Sequence, residues 1–113
     1  MLWDRGVHLV FCSSKTAAEQ LPISDALGIP VTMIVENGSA IYHWDSPTPE
    51  VLGCEVEYIR SVADTVRRET HINLRLLGEL EVSEVMQETG LSHASAVLAQ
   101  RRQYSDPIPR VSR

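Results

Sequence analysis

The 113-residue chain is poor in most of the features that announce a specialised role. It has two cysteines, Cys12 and Cys54, far apart and in unrelated contexts. Neither belongs to a Cys-x-x-Cys pair, which argues against a zinc site or a disulfide framework and fits a reducing cytoplasm. Cationic side chains are scarce: 10 Lys and Arg against 15 Asp and Glu, for a net charge of −5. With no basic stripe, nucleic acid is excluded as a partner, because its affinity comes mostly from neutralised phosphates. No apolar run approaches the roughly 18 residues that a membrane span needs. The start, Met1-Leu2-Trp3-Asp4-Arg5, lacks the basic-then-apolar shape of a signal peptide. Aromatic residues make up 5%, and there is neither an internal repeat nor a low-complexity tract.

What is present is an ordinary soluble composition, 43% apolar and 22% charged, enough for one small core. Val7 to Cys12 is a nearly continuous apolar run rich in strand formers, expected to be a strand covered on both faces. Thr16-Ala17-Ala18-Glu19 has the spacing of a helix capping box, and the helix it starts is expected to run to Leu27 and close at Gly28. Pro22 should kink or interrupt that helix. Val31 to Val35 is a second strand, completing the strand-helix-strand unit of a doubly wound parallel sheet. Glu36-Asn37-Gly38 is a turn, with a short antiparallel return over 40–44. Asp45 to Pro49 reads as a linker. Beyond it the pattern is helical. Val56, Ile59, Val62 or Ala63, and Val66 mark an amphipathic helix ending near Thr70, followed by helices over 82–88 and from His93 to about Tyr104. The expected division is therefore an α/β part over 1–47 and a mostly helical part over 48–113.

Chemistry in α/β proteins gathers at the carboxyl ends of parallel strands. Ser13, Ser14, Lys15 and Thr16 occupy that position, and hydroxyls, a cation and helix-start amides suit a phosphate or another anion. The plainer alternative is that Thr16 is only an N-cap and its neighbours are solvated. Asn37-Gly38 taken alone is a tight-hairpin signal. Arg101 and Arg102, taken alone, are cations placed favourably at a helix C-terminus.

Four stretches carry a resemblance. Val10-Phe11-Cys12-Ser13-Ser14-Lys15-Thr16-Ala17-Ala18-Glu19 resembles the second motif of mannosyl-3-phosphoglycerate phosphatases, of the haloacid dehalogenase superfamily. Ile34-Val35-Glu36-Asn37-Gly38-Ser39-Ala40-Ile41-Tyr42 resembles the strand and Glu-Asn-Gly hairpin that follow it there. Leu77-Gly78-Glu79-Leu80 is similar to a family segment that usually reads Phe-Gly-Asp-Met. Thr89-Gly90-Leu91 with Ala96, Ala99, Arg102, Tyr104, Ser105, Asp106 and Pro107 resembles the cap-domain signature, a Thr-Gly-Leu turn and a helix finishing in Arg-x-Tyr-Ser-Glu-Pro.

The resemblance implies a partial doubly wound, haloacid dehalogenase-like core followed by part of a helical cap. It also implies a magnesium-dependent phosphatase that hydrolyses mannosyl-3-phosphoglycerate to mannosylglycerate and phosphate. Ser13 falls where the family hydrogen-bonds the transferring phosphoryl group. Ser14, Lys15, Glu36, Asn37, Arg102 and Ser105 fall where the substrate is read, and an arginine fork suits carboxylate or phosphate. Glu79 and Asp106 depart from the family's usual aspartate and glutamate in reach, though not in charge.

The family's nucleophile motif, Asp-x-Asp-Gly-Thr, its lysine and its magnesium-holding acids do not occur in these 113 residues, and Asp4 is not expected to replace the nucleophile. The expectation is thus an internal fragment, inactive alone and without a metal site of its own. Its sheet edges would be free to self-associate. A non-catalytic remnant that binds phosphorylated sugar acids or a partner chain is the second reading, and a small α/β interaction module without a ligand is the third.

Overall fold

The computed structural model describes residues 3–112. It is a mixed α/β structure that divides into two compact units, 1–53 and 54–113.

The first unit is built on a four-stranded sheet in the order β1 (Leu9–Cys12), β2 (Val31–Val35), β3 (Ala40–Tyr42), β4 (Glu50–Val51). β1 runs parallel to β2, with Leu9 opposite Val31 and Cys12 opposite Ile34, while β3 and β4 are antiparallel additions. The parallel pair needs a crossover, supplied by helix α1 (Ala17–Leu27). Thr16 caps α1 in a full capping box with Glu19, and Gly28 closes it in the left-handed conformation. The expected break at Pro22 does not occur. Pro22 lies in the second turn and forfeits one bond to the Ala18 carbonyl, while both capped ends keep the helix continuous.

β2 is an interior strand, with Val31, Met33 and Val35 buried on one face. β1 departs from expectation. It starts at Leu9 rather than Val7, lies at the sheet edge, and leaves Val10 53% exposed. An apolar run records affinity for a covered face but does not supply the cover. On α1 only Gln20 is buried, and Leu21, Ile23 and Leu27 stay exposed. The expected linker over 45–49 contains no strand and leads directly into the two-residue strand β4, and the return strand β3 stops at Tyr42.

The second unit contains helices α2 (Val56–Thr70), α3 (Val82–Thr89) and α4 (His93–Ala99) and a two-stranded ribbon of β5 (Asn73–Arg75) with β6 (Arg110–Ser112). α2 ends at His71 in a left-handed cap, and α3 ends at Gly90 in the same way. Two apolar clusters hold the unit. Ala63 of α2 packs with Leu74, Leu76 and Ile72, and Leu77 packs with Val85, Ala96 and their partly buried neighbours. The exposed Arg75–Glu84 fork (2.8 and 3.1 Å) raises the Arg75 pKa above its ordinary value, chiefly through hydrogen bonding.

α4 stops at Ala99, short of the expected Tyr104. The local sequence favours helix there, but long-range bonds draw the chain out. The Gln100 side-chain amide donates to the carbonyls of Leu77 and Leu80 (3.1 and 2.7 Å), and the Val56 amide donates to the Gln103 carbonyl (2.8 Å). The Leu77 amide donates to the Pro107 carbonyl (2.8 Å). Residues 100–109 are therefore an irregular segment, bent at 103–104 and pinned at three places.

Candidate functional site

In the first unit, two turns meet at the carboxyl ends of β1 and β2. The first, 13–16, leads from β1 into α1, and the second, 36–38, leads from β2 into β3. They are stitched together by backbone bonds. The Ser13 amide donates to the Ile34 carbonyl (3.2 Å), the Asn37 amide to the Ser13 carbonyl (3.1 Å), and the Glu36 amide to the Lys15 carbonyl (3.0 Å). Ser13, Lys15, Glu36 and Asn37 are thereby brought to one place.

The Ser13 hydroxyl oxygen accepts from the Lys15 amide (3.1 Å), which leaves its proton available to donate. Ser14 is exposed beside it. Thr16 is fully buried as the N-cap, so it does not compete for a ligand. The first amides of α1 have no intrahelical partners and point toward this loop's end of the helix. Lys15 leans back on Glu19, Nζ to Oε2 at 3.4 Å, so part of its charge is answered within the protein. The Gln20 side-chain amide donates to the carbonyls of Lys15 and Ile34, both at 3.2 Å, fastening α1 to the two strand ends. Among the described residues its Oε1 is buried without a partner. Gln20 also lines, with Val10, Phe11, Cys12, Ser13, Lys15 and Ile23, an open cleft of about 380 Å³ beside the free edge of β1.

The second turn is conformationally costly. Glu36, Asn37 and Gly38 have φ of 49°, 61° and 86° in succession. Glycine adopts this region freely and asparagine tolerates it, but Glu36 does so while 1% exposed. Such backbone persists only where its surroundings over-determine it, and it gathers at functional sites. Asn37 is exposed at the tip.

Arg102 and Ser105 lie in the second unit. Arg102 is 7% exposed, and its guanidinium donates to the Ser105 carbonyl (3.4 Å) and hydroxyl (2.7 Å). It therefore shapes the 100–109 segment from within, and because α4 ends before it, it is not a helix-terminal cation. Asp106 has a fully buried carboxylate, which accepts from the Gly78 amide (2.8 Å) and from Arg60 Nε (3.0 Å). Reading the sequence did not single out Arg60. The available signal was the Gly78 and Asp106 pair, both within family-like stretches. Glu79 pairs with Arg67 of α2.

No family model matches the chain. A glucosyl-3-phosphoglycerate/mannosyl-3-phosphoglycerate phosphatase of Methanococcoides burtonii is 31% identical to it, in an alignment that takes in 94% of this chain. Over nearly its whole length the chain is thus a homologue of a mannosyl-3-phosphoglycerate phosphatase. It spans 44% of that relative's length. The 13–16 and 36–38 turns hold the residues for which the sequence resemblance implies phosphoryl and substrate contacts. Among the described residues, no group of three or more His, Cys, Asp and Glu side chains could hold a metal ion. Among the same residues, no helix is long and apolar enough to cross a membrane.

Proposed function

We propose that this chain carries the phosphoryl-contacting loop and part of the substrate-reading surface of a phosphatase for mannosyl- or glucosyl-3-phosphoglycerate. The reaction breaks the phosphate ester with water, giving the glycosylglycerate and inorganic phosphate. The observation that carries the reading is the convergence of Ser13 and Asn37, tied by the Asn37 amide to the Ser13 carbonyl, at the carboxyl ends of two parallel strands. There the Ser13 hydroxyl donates to a phosphoryl oxygen, helix-start amides and Lys15 offset its charge, and Asn37 faces the substrate. Ser14 and Glu36 flank the two contacts.

The β1–α1–β2 unit supports a partial doubly wound, haloacid dehalogenase-like arrangement. The likeness to the Methanococcoides burtonii phosphatase supports the substrate class. The exposed free Cys12 and Cys54 support a reducing, cytoplasmic setting. In this reading hydrolysis needs a carboxylate nucleophile and a magnesium site that these residues do not supply, so the 113-residue chain binds without turning over. The alternative is a binding role alone, for phosphorylated sugar acids or for a second chain at the free edge of β1.

The test is phosphate release from mannosyl-3-phosphoglycerate, with and without magnesium, beside an amide-resolved titration with inorganic phosphate. The expected result is no release, with saturable shifts at 13–18 that weaken roughly tenfold in Ser13→Ala. Magnesium-dependent release would overturn the placement of the nucleophile outside these residues. A silent 13–18 loop would overturn the phosphoryl site.

A further inference from the structure

We propose that Arg60 is an oxyanion-binding residue of the second unit, its guanidinium set in place by Asp106 so that its outer N–H groups receive a carboxylate or phosphate oxygen. Arg60 projects from α2. Its Nε donates to Asp106 Oδ2 at 3.0 Å, and Asp106 Oδ1 accepts the Gly78 amide at 2.8 Å. The carboxylate is fully buried, while the Arg60 side chain remains 37% exposed. Among the described residues Asp106 is the single hydrogen-bond partner of Arg60. One of five N–H donors is thus committed, and the terminal nitrogens have no protein partner.

Gly78 shows why the guanidinium can sit there. A Cβ at this position would meet Arg60 Nη2, and would lie 2.8 Å from Asp106 Oδ2. The absent side chain leaves room for the arginine to lie against the backbone. A guanidinium held at Nε and open at its terminal nitrogens presents a fixed fork, which matches the two oxygens of a carboxylate or phosphate.

Four other arginines of the unit differ in what they have left to offer. Arg67 is engaged by Asp64, Glu79 and the Leu74 carbonyl. Arg75 is engaged at both terminal nitrogens by Glu84. Arg102 is buried on Ser105. Arg68 reaches only a neighbouring Thr65 hydroxyl on the same exposed surface, and no buried carboxylate orients it.

The choice of oxyanion rests on the phosphatase reading, whose substrate carries a carboxylate and a phosphate. The anion site itself rests on Arg60, Gly78 and Asp106. The experiment titrates the ¹⁵N-labelled 113-residue chain with D-glycerate, inorganic phosphate and uncharged glycerol. It follows the Arg60 Nε–H resonance and the amides of 76–80. Saturable shifts with glycerate or phosphate, and none with glycerol, are expected, and the anion that saturates first identifies the source. Arg60→Lys should weaken this response roughly tenfold or more, while Arg68→Lys should leave it. If Arg60→Lys does not fold, the wild-type Nε signal carries the test.

No anion-dependent shift at Arg60, or an undiminished response in Arg60→Lys, would overturn the proposal. Shifts at 13–18 with none at Arg60 would overturn it and leave the phosphatase reading in place. Shifts at Arg60 with none at 13–18 would do the reverse.

Discussion

The Asn37 amide donates to the Ser13 carbonyl at 3.1 Å, so the turn after β2 fixes the loop after β1. The loop with the candidate phosphoryl contact and the turn with the candidate substrate contact therefore form one unit. Either is disturbed when the other is altered.

The conformation of that turn gives the first prediction. Asn37 has a φ of 61°, where an alanine pays for its Cβ and asparagine is better tolerated. Asn37→Ala should destabilise the first unit by about 1 kcal/mol, whereas Asn37→Gly should preserve stability. Denaturant unfolding measures the difference. Equal loss in both variants would mean that the side chain, rather than the backbone, holds the turn.

A second prediction concerns Gly78. An added methyl would press on Arg60 and Asp106. Gly78→Ala should destabilise by about 1–3 kcal/mol. Asp106→Ala should cost more, about 3–5 kcal/mol, because it strands a guanidinium and an amide that the buried carboxylate satisfied. Thermal melts of both variants, read by circular dichroism, check the order. An unchanged melting temperature for Asp106→Ala would remove the carboxylate from its supporting role.

The third prediction follows from β1, which pairs on one side only, with β2. Its outer edge and the exposed Val10 offer a template for another strand. Concentration-dependent self-association of the 113-residue chain is expected in light scattering. Val10→Lys should suppress it, since a charge on an edge strand opposes pairing. A chain that stays monomeric at high concentration would exclude this mode.

The sequence was most legible where periodicity and capping agree. α2 spans Val56–Thr70, where the three-and-four spacing of Val56, Ile59 and Ala63 placed it, and β2 spans the five residues of its apolar run. The Thr16–Glu19 box was readable because its chemistry is local. Other features depended on distant partners. Arg101-Arg102-Gln103 favours helix, yet bonds to Val56, Leu77 and Leu80 end α4 at Ala99. Three residues are too few for the β5 strand to show a period, and its partner begins at Arg110.

The candidate sites divide in the same way. Ser13, Lys15 and Asn37 could be picked out from a loop and a turn. Arg60 could not, because Asp106, which gives it meaning, is 46 residues away.

Gln20 has a consequence for substitutions around the 13–16 loop. Its one nitrogen spans the carbonyls of Lys15 and Ile34, both at 3.2 Å. It acts as a ruler between the helix and the strand ends. Asparagine would fall one methylene short of the gap. Glutamate would set an acceptor against two acceptors. The spacing of the two loops is written in the length and polarity of a side chain that itself need never touch a ligand.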